Sequence, residues 1–181
     1  MTSPDLSACA RCHDAKGRSC CEADEGEWLA TLTRADVARI AAHLRRPEAF
    51  FCEEEWLTVE EARTYELHRP LFAGYFRQGP KRLTLKTAQG ACVLLDRAKG
   101  CVLPALARPT ACRLYPFEPW PDGSFSVLAG GELPCLAVDE SPDVPALQGA
   151  LGLTPEALDS LAAQLREEVR DHGRPRSPRA P

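Results

Sequence analysis

The 181-residue chain has no run of about eighteen apolar residues, so it offers no candidate for a helical membrane span. Its opening, Met1-Thr2-Ser3-Pro4-Asp5, has neither a basic stretch nor an apolar run. No secretory leader is therefore expected, and the expected compartment is the cytoplasm. Positive charge is also in short supply: the net charge is −4 and the pI about 5.6, which argues against nonspecific nucleic-acid binding. The one basic cluster, Arg174, Arg176 and Arg179, sits among prolines and reads as a solvated, disordered tail. There is no repeat of domain length. No glycine-rich turn between strand and helix marks a dinucleotide or methyl-donor site, and Gly130-Gly131 alone is too weak a signal.

What the chain does have is cysteine. There are nine: Cys9, Cys12, Cys20, Cys21, Cys52, Cys92, Cys101, Cys112 and Cys135. An odd count in a chain with no export signal argues against a disulfide framework. Many thiols in a reducing compartment make metal the first candidate. Cys9 and Cys12 have the two-residue spacing with which a turn aims two sulfurs at one ion. Cys20 and Cys21 are adjacent, and a disulfide between them would be strained. Residues 1–22 carry four of the thiols but almost no large apolar side chains, so hydrophobic packing cannot order them. His13 beside Cys12 reads as a supporting or exposed group. Cys52, between Phe51 and a run of glutamates, reads as a small buried hydrophobe.

The rest of the chain alternates short elements with many turns; there are sixteen prolines and twelve glycines. A helix should start after Thr33, with Asp36 at its third position and Val37, Ile40, Ala41 and Leu44 as its apolar stripe. A second should follow Thr58, with Glu61 as the reciprocal cap. The aromatics from Phe50 to Phe76 read as core, because glutamates and not basic residues lie among them. Residues 81–103 read as an antiparallel meander turning at Gln89-Gly90 and Lys99-Gly100, with Cys92 and Cys101 flanking one hairpin. Pro104–Ala107 suggests one helical turn, and Ser124–Leu128 a last strand. Asp96 reads as a turn cap. A final helix should start after Thr154, with Pro155 at its first position and Leu158, Leu161, Leu165 and Val169 along one face.

Cys92 with Leu95 and Asp96, Cys101, Arg108-Pro109, and Cys112-Arg113-Leu114-Tyr115-Pro116-Phe117 follow the early Cys9, Cys12, Cys20, Cys21 group. Cys135 trails after Gly131 and Pro134. This order resembles a cysteine-cluster family described as zinc- or iron-chelating, over roughly residues 9–136. It is more distantly similar to flagellin lysine N-methylases, which look like iron–sulfur enzymes using S-adenosylmethionine. Seven residues separate Cys12 from Cys20, more than the tight spacing common in the family. The resemblance implies that eight thiols, Cys9, Cys12, Cys20, Cys21, Cys92, Cys101, Cys112 and Cys135, hold metal. Arg108, Arg113 and Tyr115 would then support or shield the cofactor, with Pro109, Pro116 and Phe117 framing it.

The expected fold is α+β: a small single domain of short helices around a small antiparallel sheet, organised by a cysteine-ligated metal site. Residues 1–136 form the cysteine-cluster domain, 137–153 a linker, 154–172 a C-terminal helix packed on the domain, and 173–181 the basic tail. The expected cofactor is an iron–sulfur cluster of the 4Fe-4S type, because dispersed ligands suit a cubane; zinc is the alternative. The function expected is metal binding, with a zinc-stabilised structural protein or an iron–sulfur enzyme as alternatives. A thiol redox protein is a further class and would form a reversible Cys9–Cys12 disulfide. No nucleic-acid or membrane partner is expected. A protein partner would use the C-terminal helix or the tail, and a monomer is expected.

Overall fold

A computed structural model describes residues 8–22, 29–128 and 135–174. The opening Met1–Asp5, the Gly130-Gly131 and Pro134 signals, and the tail arginines Arg176 and Arg179 lie outside the described residues. In chain order, the elements begin with helix α1 (Ala8–Lys16), strand β1 (Thr31–Leu32), helix α2 (Arg34–Leu44), strand β2 (Cys52–Trp56) and helix α3 (Val59–His68). Two 3-10 turns, Pro70–Phe72 and Tyr75–Gln78, lead to strand β3 (Lys81–Leu85). Four two-residue strands follow: β4 (Thr87–Ala88), β5 (Ala91–Cys92), β6 (Leu95–Asp96) and β7 (Gly100–Cys101). A 3-10 turn at Ala105–Ala107, helix α4 (Thr110–Leu114), strands β8 (Phe117–Pro119) and β9 (Phe125–Val127), and helices α5 (Leu136–Glu140), α6 (Val144–Leu151) and α7 (Pro155–His172) complete the chain.

Local chemistry sets the helix starts. The Thr33 hydroxyl accepts from the Asp36 amide at 3.1 Å, and Asp36 Oδ2 accepts from the Thr33 amide at 2.8 Å. This reciprocal cap satisfies two amides that the first turn leaves unpaired. Thr58 and Glu61 repeat the arrangement at α3, and Thr154 with Pro155 opens α7. Arg45 adopts a left-handed conformation, φ 53°, and terminates α2 before Pro47 can clash with it. The 137–153 stretch expected to link two parts carries α5 and α6.

The strands pair differently from the expected meander. Gln89 and Gly90 do make the turn, both at positive φ, but the hairpin they close joins only β4 and β5. β3 lies instead between β1 and β2 in a three-stranded antiparallel sheet, with Cys52 opposite Leu85 and Trp56 opposite Lys81. Strand β2 went unread because Glu53-Glu54-Glu55 lacks an apolar alternation. Tertiary charge pairing supports it: Lys81 Nζ meets Glu54 at 2.8 Å, and the buried Arg82 pairs with Glu55. β6 pairs with β7, and β8 with β9.

Two apolar clusters form the interior. One joins the α7 stripe (Leu158, Leu161, Leu165, Val169) to Leu71, Phe72, Tyr75, Leu114 and Phe117. The other joins Val37 and Ile40 of α2 to Phe51, Cys52, Leu85, Leu94 and Leu103. Each fully buried leucine or valine contributes about 1.5–3 kcal/mol. Most of the aromatics from Phe50 to Phe76 are core, but Phe50 and Trp56 are exposed, with Lys81 Nζ 4.8 Å from the Trp56 ring centroid. The apolar face of α7 is covered by the chain's own core. No helix among the described residues is long and apolar enough to cross a membrane.

A buried polar knot pins three helices together. Asp36 accepts from the Thr110 amide at 2.9 Å and from Arg39. Arg39 also reaches Glu168 Oε1 at 2.9 Å and Thr110 Oγ1 at 3.0 Å. Thr110 and Thr33 both donate to Glu168 Oε2, at 3.0 and 3.1 Å. The starts of α2 and α4 are thereby tied to the C-terminal half of α7.

The architecture is thus a small α+β domain of short helices and small sheets. The expectation that a cysteine-ligated metal site organises it is overturned. Among the described residues, no three or more His, Cys, Asp and Glu side chains form a group that could hold a metal ion. Apolar burial and the polar knot are the interactions that hold these elements.

Candidate functional site

A cavity of 830 Å³ lies between the two apolar clusters, and eight of the nine cysteines line it. These are the eight expected as metal ligands, and Cys52 is the one left out, buried in the second cluster. Leu29, Leu71, Phe72, Leu94, Leu103 and Phe117 supply much of the remaining wall.

Each segment delivers its thiols for an identifiable reason. Residues 8–16, too polar to pack by themselves, form helix α1, so Cys9 and Cys12 stand three apart on a helix instead of on a metal-binding turn. Ion pairs hold α1 against α5: Arg11 with Glu140 at 2.7 Å, and Lys16 with Asp139. On the other side α1 touches β7. A Cβ on Gly100, which has φ +82°, would stand only 3.4 Å from the Ala10 Cα. Glu22 closes the loop that follows, accepting from the Ser19 amide at 2.8 Å and the Ser19 hydroxyl at 3.0 Å, and meeting His13 Nδ1 at 2.9 Å. His13 is thus tied to a carboxylate. The Cys92 amide donates to the Cys21 carbonyl at 2.8 Å, which sets Cys20 and Cys21 beside β5. Cys101 comes from β7, Cys112 from α4, and Cys135 caps α5.

The thiols feel one another's charge but are chemically unequal. Burial pushes the Cys92 thiol up to about 12 and raises Cys101 and Cys135. Burial likewise lifts Cys112 well above the ordinary thiol range. Cys21 goes the other way. The neighbouring Cys20 thiol favours the Cys21 thiolate, and the nearby Arg108 guanidinium adds to it, so Cys21 is held below the ordinary range despite burial. The same interaction with its neighbour, together with burial, holds Cys20 well above it.

The three expected supporting residues separate. Arg108 and Tyr115 line the cavity. Arg108 Nε donates to the Leu103 carbonyl at 2.9 Å, and its charge acts on Cys101, opposing the effect of burial there. Burial raises the Tyr115 hydroxyl far above the phenol range, and nearby thiolates would add to the effect. Arg113 turns away and donates to Gln164 Oε1 of α7 at 3.3 Å. Asp96 accepts from the Ala98 amide at 2.9 Å and caps a turn.

The iron–sulfur cluster, its zinc alternative and the iron–sulfur enzyme reading are corrected by this geometry. Ligation requires sulfurs about 2.3 Å from one ion, hence a tight convergence. Here the thiols are spread over the walls of a cavity, and among the described residues no His/Cys/Asp/Glu group fit for a metal forms. No family model, curated protein or solved structure matches the chain. The resemblance to the cysteine-cluster family and to flagellin lysine N-methylases therefore has no support beyond the motif itself.

Two features escaped sequence reasoning. Glu22 is one charge among several in the early segment, and only its proximity to Ser19 in the motif Ser19-Cys20-Cys21-Glu22 hints at a closed turn. The inequality of Cys20 and Cys21 arises first between the two neighbouring thiols and from burial, with Arg108, far away in sequence, adding to it at Cys21, and the adjacent pair alone gives no sign of which thiol is favoured.

Proposed function

We propose that this protein carries out thiol–disulfide exchange, with Cys21 as the attacking thiolate and Cys20 as the resolving thiol. The observation that carries the reading is the adjacent Cys20–Cys21 pair on the wall of the cavity, which Arg108 also lines, close enough for its charge to act on Cys21. A thiolate is the nucleophile in this chemistry, and positive charge and hydrogen-bond donors are what generate one. Cys21 attacks a disulfide sulfur of the partner, a new S–S bond forms, and the other partner sulfur leaves as thiolate. Cys20 then loses its proton and attacks the Cys21 sulfur. The product is a Cys20–Cys21 disulfide and a second released thiolate, so two electrons pass from the protein pair to the partner. A thiol reductant restores the pair by the reverse exchange. Adjacent Cα atoms stand about 3.8 Å apart, closer than the about 4.4–6.8 Å of most disulfides. The bond is therefore strained and readily reduced, as a cycling pair requires.

The test uses the full chain and one equivalent of 4,4′-dithiodipyridine. The expected result is release of both thiopyridones and formation of a Cys20–Cys21 disulfide by peptide mass mapping. Cys20→Ser should stop at a mixed disulfide on Cys21, with one thiopyridone released. First labelling at another cysteine, or an identical outcome in Cys20→Ser, would refute the assignment.

A further inference from the structure

Arg108 is a cation on the cavity wall with no carboxylate in ion-pair range among the described residues; its Nε is anchored on the Leu103 carbonyl at 2.9 Å. Most of the other acids and bases that line the cavity are engaged, and Glu60 and His68 sit at exposed positions. Arg69 pairs with Glu118, Glu22 with His13 and Arg97, and Glu61 with Thr58. Arg108 is close enough to Cys9, Cys21 and Cys101 for its charge to act on each. A guanidinium facing a largely apolar space is an incomplete pair. Its planar donors match a carboxylate, and the low polarity of the surroundings strengthens such a contact. The 830 Å³ volume falls in the range of small-molecule sites of about 300–1,000 Å³. Leu71, Phe72, Leu94, Leu103 and Phe117 would cover an apolar body.

We infer that the cavity takes a small disulfide that carries an apolar, ring- or chain-like body and a carboxylate, with Arg108 holding the carboxylate while the disulfide lies at Cys21. The inference rests on the thiol–disulfide exchange reading and adds the class of substrate. Anion binding orients the scissile bond. Cys21 attacks one of its sulfurs, and the departing fragment keeps the second sulfur as a thiolate. Arg108 is here a substrate-binding residue, with a second effect on the charge of the attacking sulfur.

Those two effects can be separated. The rate of first labelling at Cys21 is measured by stopped flow with two aromatic disulfides, 5,5′-dithiobis(2-nitrobenzoate), which bears carboxylates, and the uncharged 4,4′-dithiodipyridine. The thiolate population cancels in the ratio of the two rates. Arg108→Met should lower that ratio by about tenfold, the size of effect of one charge-assisted contact. Arg108→Lys should retain most of it. In the unaltered chain, benzoate should slow labelling of Cys21 by the uncharged reagent, a measurement that stands if Arg108→Met fails to fold. An unchanged ratio in Arg108→Met, or no protection by benzoate, overturns the carboxylate site while leaving Cys21 as the nucleophile. Failure of both reagents to label Cys21 overturns the exchange reading itself.

Discussion

Replacing Arg39 by Met removes the cation that bridges two buried carboxylates. Asp36 is fully buried and the Glu168 side chain is 9% exposed, while Arg39 itself is 24% exposed. Burial raises the Asp36 carboxyl above its ordinary range, and the neighbouring charge of Glu168 adds to that. At Glu168 burial also opposes ionisation, but hydrogen bonds from Gln164 and Arg39 outweigh it and hold the group below its ordinary range. Without Arg39, both carboxylates keep their hydroxyl and amide donors but lose the charge between them. Breaking a buried pair by removing one partner costs about 3–5 kcal/mol. The partial exposure of Arg39 places this case at the lower end, about 3 kcal/mol. With a urea m-value of about 2 kcal/mol/M, the denaturation midpoint should fall by about 1.5 M at pH 8.

The sign of the pH dependence follows from the two shifts. Glu168 has a depressed carboxyl, so its contribution is present above the ordinary carboxylate range and is lost as pH falls through its folded value. In Arg39→Met that contribution is smaller, because the Arg39 share is gone while Gln164 and Thr110 still donate. Asp36, already raised, should rise further and take up a proton sooner as pH falls, which relieves the repulsion. The gap between variant and parent should therefore narrow from pH 8 to pH 5. The assay is urea unfolding followed by circular dichroism at both pH values. Arg170→Met serves as the control, because Arg170 and Glu167 are both more than half exposed and 3.4 Å apart, and such a pair is worth under about 1 kcal/mol. A midpoint shift for Arg39→Met no larger than the control's, or one that does not change with pH, would refute the reasoning.

Two further outcomes test the frame around the cavity. Leu158→Ala, at a side chain 1% exposed in the α7 core, should cost about 2–5 kcal/mol in urea unfolding with α-helix content otherwise intact. Gly100→Ala puts a Cβ 3.4 Å from the Ala10 backbone at a left-handed φ of +82°; it should cost about 1–2 kcal/mol and speed alkylation of Cys12 as α1 loosens from β7.

The starts of α2, α3 and α7 were legible because each is decided within four residues. A threonine hydroxyl caps an amide in the first turn, and at α2 and α3 an acidic residue three positions on caps the threonine's own amide. The turn at Gln89-Gly90 was legible for the same reason. The pairing of β3 before it was not, because β3 chose its partners across tens of residues. Glu53, Glu54 and Glu55 look like loop until Lys81 and Arg82 stand opposite them. Helix α1 was equally hidden: its thiol spacing suggests a metal-binding turn, while Glu140 and Asp139, which hold it as a helix, lie more than a hundred residues away.

The cysteine inventory shows where the division falls. The sequence by itself set Cys52 apart, since Phe51 beside it gives it a packing role, and it grouped the other eight thiols only as the ligands of a metal that the structure does not support. Only the tertiary structure decided how the eight are arranged. Whether sulfurs meet at a point or surround a space depends on distances of a few ångströms between α1, β5, β7 and α4. Those distances are set by leucines, by the Asp36–Arg39–Glu168 knot and by Gly100, none of which is part of the thiol pattern. Arg108 acts on Cys21 for the same reason, through space and low polarity rather than through position along the chain.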